Sequence, residues 1–419
     1  MRIVLWHGYL LGGTGSNVYT RQLAREWSLA GHDVVVLSQE DEPERYELGG
    51  AATGRPDVGG FLPTFVVDRY AGFHDVRRVQ DCTRVELDRW VQANVAAVRD
   101  RLPADLVFVN HVLLGGPVGA GSGARFAVKA HGSELEYAMR GNPWLSAWGA
   151  EALSGAAATF VGSDHIRQVL EEVCGHVDRV HEVPPGVDVA EWVPEDRDGA
   201  LARLLDEARQ DPPNPGNANE RLPDERNGLR LAQFLVGETS TVVYFGKLIS
   251  QKGVHLLLEA MAGLDAQAVV VGFGPERSTL ETQAADLGVR ALFTGPLEHR
   301  HLRHLLALAD ACVVPSVFPE AFGMVAAEAA AAGCPPLVAR HSGLAEVAAG
   351  LEAAYPPGLA RLAWFPNGDV QTLRARLREL LDLAEADRAA VRAAARNTAL
   401  ERWSWAGIAR QLLERAGAG

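Results

Sequence analysis

Two glutamates, Glu320 and Glu328, bracket the run Ala321-Phe322-Gly323-Met324-Val325-Ala326-Ala327. Glu320 follows an apolar run that reads as a strand, and Gly323 opens an alanine-rich stretch that reads as a helix with Glu328 more than one turn inside it. At such a helix start the amides of Gly323, Met324 and Val325 are free donors at a positive dipole end, suited to phosphate. The two carboxylates can accept hydrogen bonds from sugar and ribose hydroxyls. A solvated helix-surface carboxylate is the plain alternative for Glu328, but its alanine neighbours imply burial, where an unpaired charge is costly.

A second group is cationic. Of 40 basic residues only Lys129, Lys247 and Lys252 are lysine. A sequence that uses arginine for most cations has kept two ammonium groups close together, in Gly246-Lys247-Leu248-Ile249-Ser250-Gln251-Lys252-Gly253, after an apolar run. At the carboxyl edge of a parallel sheet such cations could neutralise a departing diphosphate. A pair of surface lysines is the alternative, against which the scarcity of lysine argues. His131 closes another apolar run, where a histidine gains a functional role from its place at a strand end. The loop His7 to Ser16, with Gly12 and Gly13, lets backbone approach a ligand before a helix start. It is also compatible with a dinucleotide fingerprint, because Glu40 follows the second strand where a ribose-binding acid would lie.

These residues need a scaffold of parallel strands, and the pattern supplies one twice. Short β-rich runs alternate with amphipathic stretches, implying repeated β-α units. In the first half the runs are Ile3 to Trp6, Asp33 to Leu37, Thr64 to Val67, Asp105 to Asn110, Phe126 to Ala130, Thr159 to Gly162 and Arg179 to Val183. In the second they are Thr241 to Phe245, Ala268 to Val271, Ala291 to Thr294, Ala311 to Pro315, Pro336 to Ala339 and Ala363 to Phe365. The expected organisation is a Rossmann-like domain over 1–193, a linker or insertion carrying one or two short helices over 194–238, a second such domain over 239–400, and a helix over 401–419. The breakers Asp211 to Asn217 mark an exposed loop in that linker.

Bulk properties narrow the function classes. With 47% hydrophobic and 22% charged residues the chain is globular, and 419 residues exceed one ordinary core. A formal charge of -13 without a basic run disfavours a nucleic-acid partner. Met1 to Ala190 likewise lacks the basic face of an enzyme that docks on a bilayer, so any membrane contact is at most peripheral. Four scattered cysteines suggest neither zinc nor disulfides, and a reducing cytoplasm is expected. The amino-terminal apolar run is short and reads as a buried strand rather than a leader.

Taken together, these segments resemble the retaining glycosyltransferases of family four, whose donor domain is similar to that of glycogen and sucrose synthases. The resemblance is carried by the Glu-x7-Glu motif from Glu320 to Glu328, by Phe245-Gly246-Lys247 with Lys252-Gly253, and by Val271-Gly272-Phe273-Gly274-Pro275, Phe293-Thr294-Gly295 and Ser342-Gly343-Leu344-Ala345-Glu346. In the first half it rests on the Gly12-Gly13 loop, Gly31-His32-Asp33-Val34, His131-Gly132, Ser163 and Pro184-Pro185-Gly186-Val187-Asp188. It implies a GT-B architecture, two Rossmann-like domains facing a central cleft, the first on the acceptor side and the second holding the donor, with the last helix returning to the first domain, and transfer of a sugar from a UDP- or GDP-type sugar nucleotide with retained configuration. Lys247 and Lys252 would then hold the diphosphate, Glu320 the transferred sugar and Glu328 the ribose. Gly12, Gly13, Gly246, Gly272, Phe273, Gly274 and the amides from Phe322 to Val325 would line the donor, with His131 beside sugar and acceptor. No cofactor or metal is required, and the partners are the donor and a small-molecule or glycoconjugate acceptor.

Two positions depart from the family pattern: Gly246-Lys247 replaces the usual Gly-Arg, and Pro-Pro-Gly-Val-Asp replaces Pro-Asn-Gly-Val-Asp at the hinge. Three other readings stay open: a nicotinamide dehydrogenase, an epimerase or phosphorylase of the same fold, and a non-catalytic nucleotide-sugar binding module. The acceptor is expected to be a soluble small molecule. The stretch Arg69, Tyr70, Phe73, His74, Arg77 and Arg78 could grip an anionic or cyclic polyol, although a solvated loop is the expectation there.

Overall fold

A computed structural model describes residues 1–65, 70, 72–210, 227–235, 237–297 and 299–417. The chain divides into two compact units, one of Met1–Gly186 with Trp405–Gly419 and one of Val187–Ser404.

The first unit is built on a seven-stranded parallel sheet. Its spatial order is Ala52–Gly54, Asp33–Leu37, Arg2–Trp6, Leu106–Asn110, Phe126–Lys129, Ala158–Val161 and Val180–Glu182. Alternation fills both faces: Val4 and Trp6 join a core with Trp90, Val107 and Val128, whereas Ile3 and Leu5 join the opposite core with Trp27 and Phe108. The order reverses between Arg2–Trp6 and Leu106–Asn110, which is where a doubly wound sheet opens a crevice at its carboxyl edge.

Two short strands escaped the sequence pattern. Ala52–Gly54 and Asp75–Arg78 are too polar to stand out; the latter pairs in parallel with Phe61–Thr64 in a separate two-stranded sheet. The strand expected from Thr64 to Val67 therefore ends at Thr64, with positions 66 and 67 outside the described residues. The stretch read as a solvated loop becomes in part a strand. There Arg77 bonds Asp75 and Glu86, and Arg78 bonds Asp81; Arg69 lies outside the described residues.

The second unit repeats the doubly wound order with six parallel strands: Arg290–Gly295, Ala266–Val271, Ser240–Phe245, Ala311–Val314, Pro336–Arg340 and Trp364–Pro366. The segment read as a linker contributes helices Arg197–Ala208 and Asn227–Phe234. The first of these packs on helix His299–Leu308, where buried His304 lies between Glu195 (2.6 Å) and Glu207 (3.2 Å). The loop Asp211 to Asn217 lies outside the described residues.

The carboxyl-terminal region forms helices Val370–Leu381, Glu385–Arg402 and Trp405–Arg415, broken at Trp403-Ser404. Trp405–Arg415 belongs to the first unit: Ile408 and Leu412 enter its core, and Trp27 Nε1 donates to the Ala409 carbonyl at 2.9 Å.

Glycine sets the spacing of the strand-end loops in the second unit. Gly272 has φ +142°, and a Cβ there would overlap the Gly246 carbonyl. Both the backbone region and the collision forbid a side chain. Gly272→Ala is expected to cost about 2–4 kcal/mol in a denaturant titration, against well under 1 kcal/mol for Gly358→Ala, which meets open space.

Candidate active site

In the second unit the sheet reverses between Ser240–Phe245 and Ala311–Val314, and the loops after these strands are tied together. Gly246 N donates to the Val271 carbonyl (3.0 Å), Leu248 N to that of Phe273 (2.7 Å) and Gly272 N to that of Gly295 (2.9 Å). A Cβ on Gly253, at φ +67°, would overlap the Pro315 carbonyl. Val317 N and the Ser316 hydroxyl donate to the Gln251 carbonyl at 2.9 and 3.2 Å. This lacing brings Lys252 to Glu320, with Nζ donating to Oε1 at 2.6 Å.

Glu320 is held from behind. Its amide donates to the Ser342 hydroxyl (2.9 Å), and Gly343 N donates to its carbonyl (2.9 Å). His341 Nε2 faces the Ser316 carbonyl at 2.6 Å, which can only accept, so that nitrogen carries the ring proton. Nδ1 is then the acceptor for the Ser342 hydroxyl at 3.2 Å. His341 was not foreseen from sequence; it sits beside the Ser342-Gly343 pair that was.

Lys247 is exposed, and among the described residues its ammonium has no partner. The structure therefore braces Lys252 and leaves Lys247 exposed. Gly323, at φ +118°, begins helix Met324–Ala331 without a side-chain cap, so the first amides are not blocked by one. Phe322 is buried edge-on against Trp403. Glu328 is partly exposed as a residue, but burial of its carboxyl and the neighbouring Glu191 charge push it up to about 8.

In the first unit the reversal point is marked by imidazoles. His7 follows strand Arg2–Trp6, His111 follows Leu106–Asn110, and His131 stands just past Phe126–Lys129. The ring centroids of His111 lie 5.8 Å from His7 and 4.7 Å from His131. Glu134 binds the group together: Oε1 accepts from the amides of His131 (2.9 Å) and Val112 (3.3 Å), and Oε2 from His111 Nδ1 (3.1 Å). Burial opposes ionisation of Glu134, but His111 and the amides outweigh it and hold the carboxyl below the usual range. Burial above all, then the charges of neighbouring His111 and Lys129, drives His131 well down; burial and His111 take His7 to about 3. Both rings are neutral at pH 7.

The Gly12-Gly13 loop is pinned from both sides. Asn17 Nδ2 donates to the Gly12 carbonyl, and Leu11 N donates to Glu40 Oε2 at 3.0 Å. Glu40, placed by the dinucleotide reading on a ribose, is thus bonded to the loop itself. Gly13 has φ +95°, and helix Gly15–Leu29 begins beyond it without a side-chain cap. Lys129 is buried, with Nζ donating to the Val183 carbonyl (2.8 Å) above the Tyr19 ring.

His7, Asn110, His111 and Glu134 were not singled out from sequence. Their available signal is position: His7 and His111 each come one residue after a buried strand, and Glu134 lies three residues after His131. Among the described residues no three His, Cys, Asp or Glu side chains are placed to hold a metal ion, and no helix is long and apolar enough to cross a membrane.

With this geometry, two family models match the chain: Glycosyltransferase Family 4 over residues 13–191 and Glycosyl transferases group 1 over residues 230–398. The fold is similar to that of HepE from Anabaena in complex with UDP, at a TM-score of 0.70 and 17% identity over 100% of both chains. Two parallel-sheet α/β units of this order define the GT-B architecture. The two matches, together with this fold, support a glycosyltransferase like those of family four. It is 31% identical to a D-inositol 3-phosphate glycosyltransferase of Xylanimonas cellulosilytica over 48% of this chain and 44% of the relative, so that match spans less than half of the relative's length. It is 28% identical to the GDP-mannose-dependent alpha-(1-6)-phosphatidylinositol monomannoside mannosyltransferase of Mycolicibacterium smegmatis over 69% of each chain.

The raised Glu328 pKa has a consequence with a definite sign. Between the ordinary carboxyl value and about 8 the folded protein holds a proton that the unfolded chain has lost, so this group makes stability fall as pH rises through that window. Glu328→Gln should abolish that contribution. The stability of the variant relative to wild type is expected to rise by about 1–2 kcal/mol from pH 6 to pH 8 in denaturant titrations.

Proposed function

We propose that the chain is a retaining glycosyltransferase that moves a sugar from a UDP- or GDP-type sugar nucleotide to a hydroxyl of a small-molecule acceptor. The observation that carries this reading is the Lys252–Glu320 pair, 2.6 Å apart, braced at the strand reversal that also bears the Gly323 helix start. A cation and a carboxylate neutralise one another until a ligand offers each a better partner. A sugar diphosphate does so, presenting phosphate to Lys252 and hydroxyls to Glu320.

Lys247 adds a second cation, the amides of Gly323 to Val325 receive phosphate oxygens, and Glu328, protonated near neutral pH, both donates to and accepts from ribose hydroxyls. Gly246, Gly272, Phe273 and Gly274 form the backbone floor of the donor site. The resemblance assigns Gly12 and Gly13 to phosphate and sugar, and His131 to the transferred sugar and the acceptor. The acceptor oxygen attacks the anomeric carbon on the face the nucleotide leaves. The bond from that carbon to the β-phosphate oxygen breaks, and a β-phosphate oxygen takes the acceptor proton, giving glycoside and nucleoside diphosphate. The names of the relatives, one GDP-mannose-dependent, and the UDP complex of HepE support a nucleotide donor.

A screen of UDP-, GDP-, ADP- and TDP-sugars for nucleotide release is expected to select one nucleotide, with NMR of the product showing the donor's anomeric configuration. Lys252→Ala should lower kcat about 10²–10³-fold with an unchanged circular dichroism spectrum. A near-wild-type rate would remove Lys252 from the mechanism.

A further inference from the structure

The Lys252–Glu320 pair closes a ring of hydrogen bonds in the second unit. The Glu320 amide donates to Ser342 Oγ (2.9 Å), the Ser342 hydroxyl to His341 Nδ1 (3.2 Å), and His341 Nε2 to the Ser316 carbonyl (2.6 Å). The Ser316 hydroxyl is shared between the carbonyls of Phe318 and Gln251, both at 3.2 Å, and Val317 N adds a 2.9 Å bond to the latter. Gln251 precedes Lys252, whose Nζ returns to Glu320 Oε1 at 2.6 Å. From the Glu320 amide to the Ser316 carbonyl each member accepts on one side and donates on the other, so each bond polarises the next.

Ser342 carries strain that this ring accounts for. At φ +44° it is the only non-glycine residue with a positive φ among the described residues of the second unit. Glycine adopts that region freely and serine does not. What serine has and glycine lacks is the hydroxyl, and both bonds of that hydroxyl belong to the ring. The loop after Pro336–Arg340 also lies directly on the loop that carries Glu320, because a Cβ on Gly343 would overlap the backbone of Ala321 and Phe322. The ion pair cannot fix this geometry unaided. Its side chains are 32% and 21% exposed, and a partly solvated pair is a weak restraint.

We infer that Ser342 and His341 are positioning residues, which hold the Glu320 backbone in place when a donor draws Lys252 and Glu320 apart. In the free protein the ion pair and the Ser342 bond act together on Glu320. Once Lys252 turns to phosphate, the ion pair no longer restrains the carboxylate, and the bond from the Glu320 amide to Ser342 keeps it aimed at the sugar. His341 orients the serine hydroxyl and anchors it to Ser316. The kinetic consequence rests on the glycosyltransferase reading: loss of the brace acts on the sugar-transfer step and leaves the grip on the nucleoside diphosphate intact.

The test uses Ser342→Gly, His341→Phe and His341→Asn in the full chain. In hydrogen exchange followed by NMR, the Glu320 amide should exchange at least about tenfold faster in Ser342→Gly, whereas the Cys312 amide, bonded to the Pro335 carbonyl within the sheet, should not change. Because glycine accepts the positive φ, the melting temperature of Ser342→Gly should stay within about 2 °C of wild type. With the nucleotide found by the screen, the Kd of its nucleoside diphosphate should stay within about twofold while kcat falls at least about tenfold. His341→Phe should lower kcat in the same way, and His341→Asn, which can keep an acceptor beside the Ser342 hydroxyl, should retain at least about threefold more activity than His341→Phe. Unchanged exchange at Glu320, an unchanged kcat, or a joint fall of nucleotide affinity, melting temperature and kcat would overturn the inference. If the chain transfers no sugar from any donor, faster exchange confined to Glu320 would leave the brace standing and sink the glycosyltransferase reading alone.

Discussion

A parallel sheet delivers every strand-following loop to the same edge, and where the strand order reverses those loops must fit against one another. In the second unit the fit is close enough to exclude side chains. Gly272 lies on the Gly246 carbonyl and Gly253 on that of Pro315, and backbone hydrogen bonds run across each junction. The site depends on this constraint, because Lys252 and Glu320 come from loops distant in sequence and meet only when the backbones carrying them touch. The glycines are therefore part of the electrostatics: they set the distance at which cation and carboxylate pair.

The two units solve the same geometric problem with different chemistry. The second gathers ammonium groups, uncapped amides and carboxylates, a set fit for a charged ligand. The first gathers imidazoles held by neighbouring side chains, His7 Nε2 by Asn17 Oδ1 at 2.8 Å, His131 Nε2 by Asn110 Oδ1 at 2.7 Å and His111 Nδ1 by Glu134 at 3.1 Å, with burial keeping His7 and His131 neutral. In the proposed reaction the proton goes to the departing phosphate, and nothing in the first unit has to titrate for that to happen.

Much of this was legible in the sequence, and the reason is specific. Buried parallel strands are continuous apolar runs, so Asp33–Leu37 and the strands after it stood out, whereas Ala52–Gly54 and Asp75–Arg78, polar and short, did not. The candidate donor site was legible because its residues form local motifs: the paired glutamates, the rare lysines, the glycine after each strand. The imidazole cluster was not, beyond His131, since His7 and His111 become neighbours only through the crossover of strand order. Asn17 and Asn110 are ordinary residues until their partners are known. The segment 194–238 read as a linker with one or two short helices, yet Glu195, just before its first helix, and Glu207 within it bind His304 from either side, contacts that no single-sequence pattern announces.

The return of helix Trp405–Arg415 to the first unit bears on how the chain acquires its shape during synthesis. Leu23, Trp27 and Ile3 lie against Ile408 and Leu412, and the Trp27 indole proton is bound to Ala409. An amino-terminal unit finished on the ribosome could bury this face early; here it stays bare until the second unit has been translated. The second unit, continuous from Val187 to Ser404, can close its own core first, so the part made first is the part completed last.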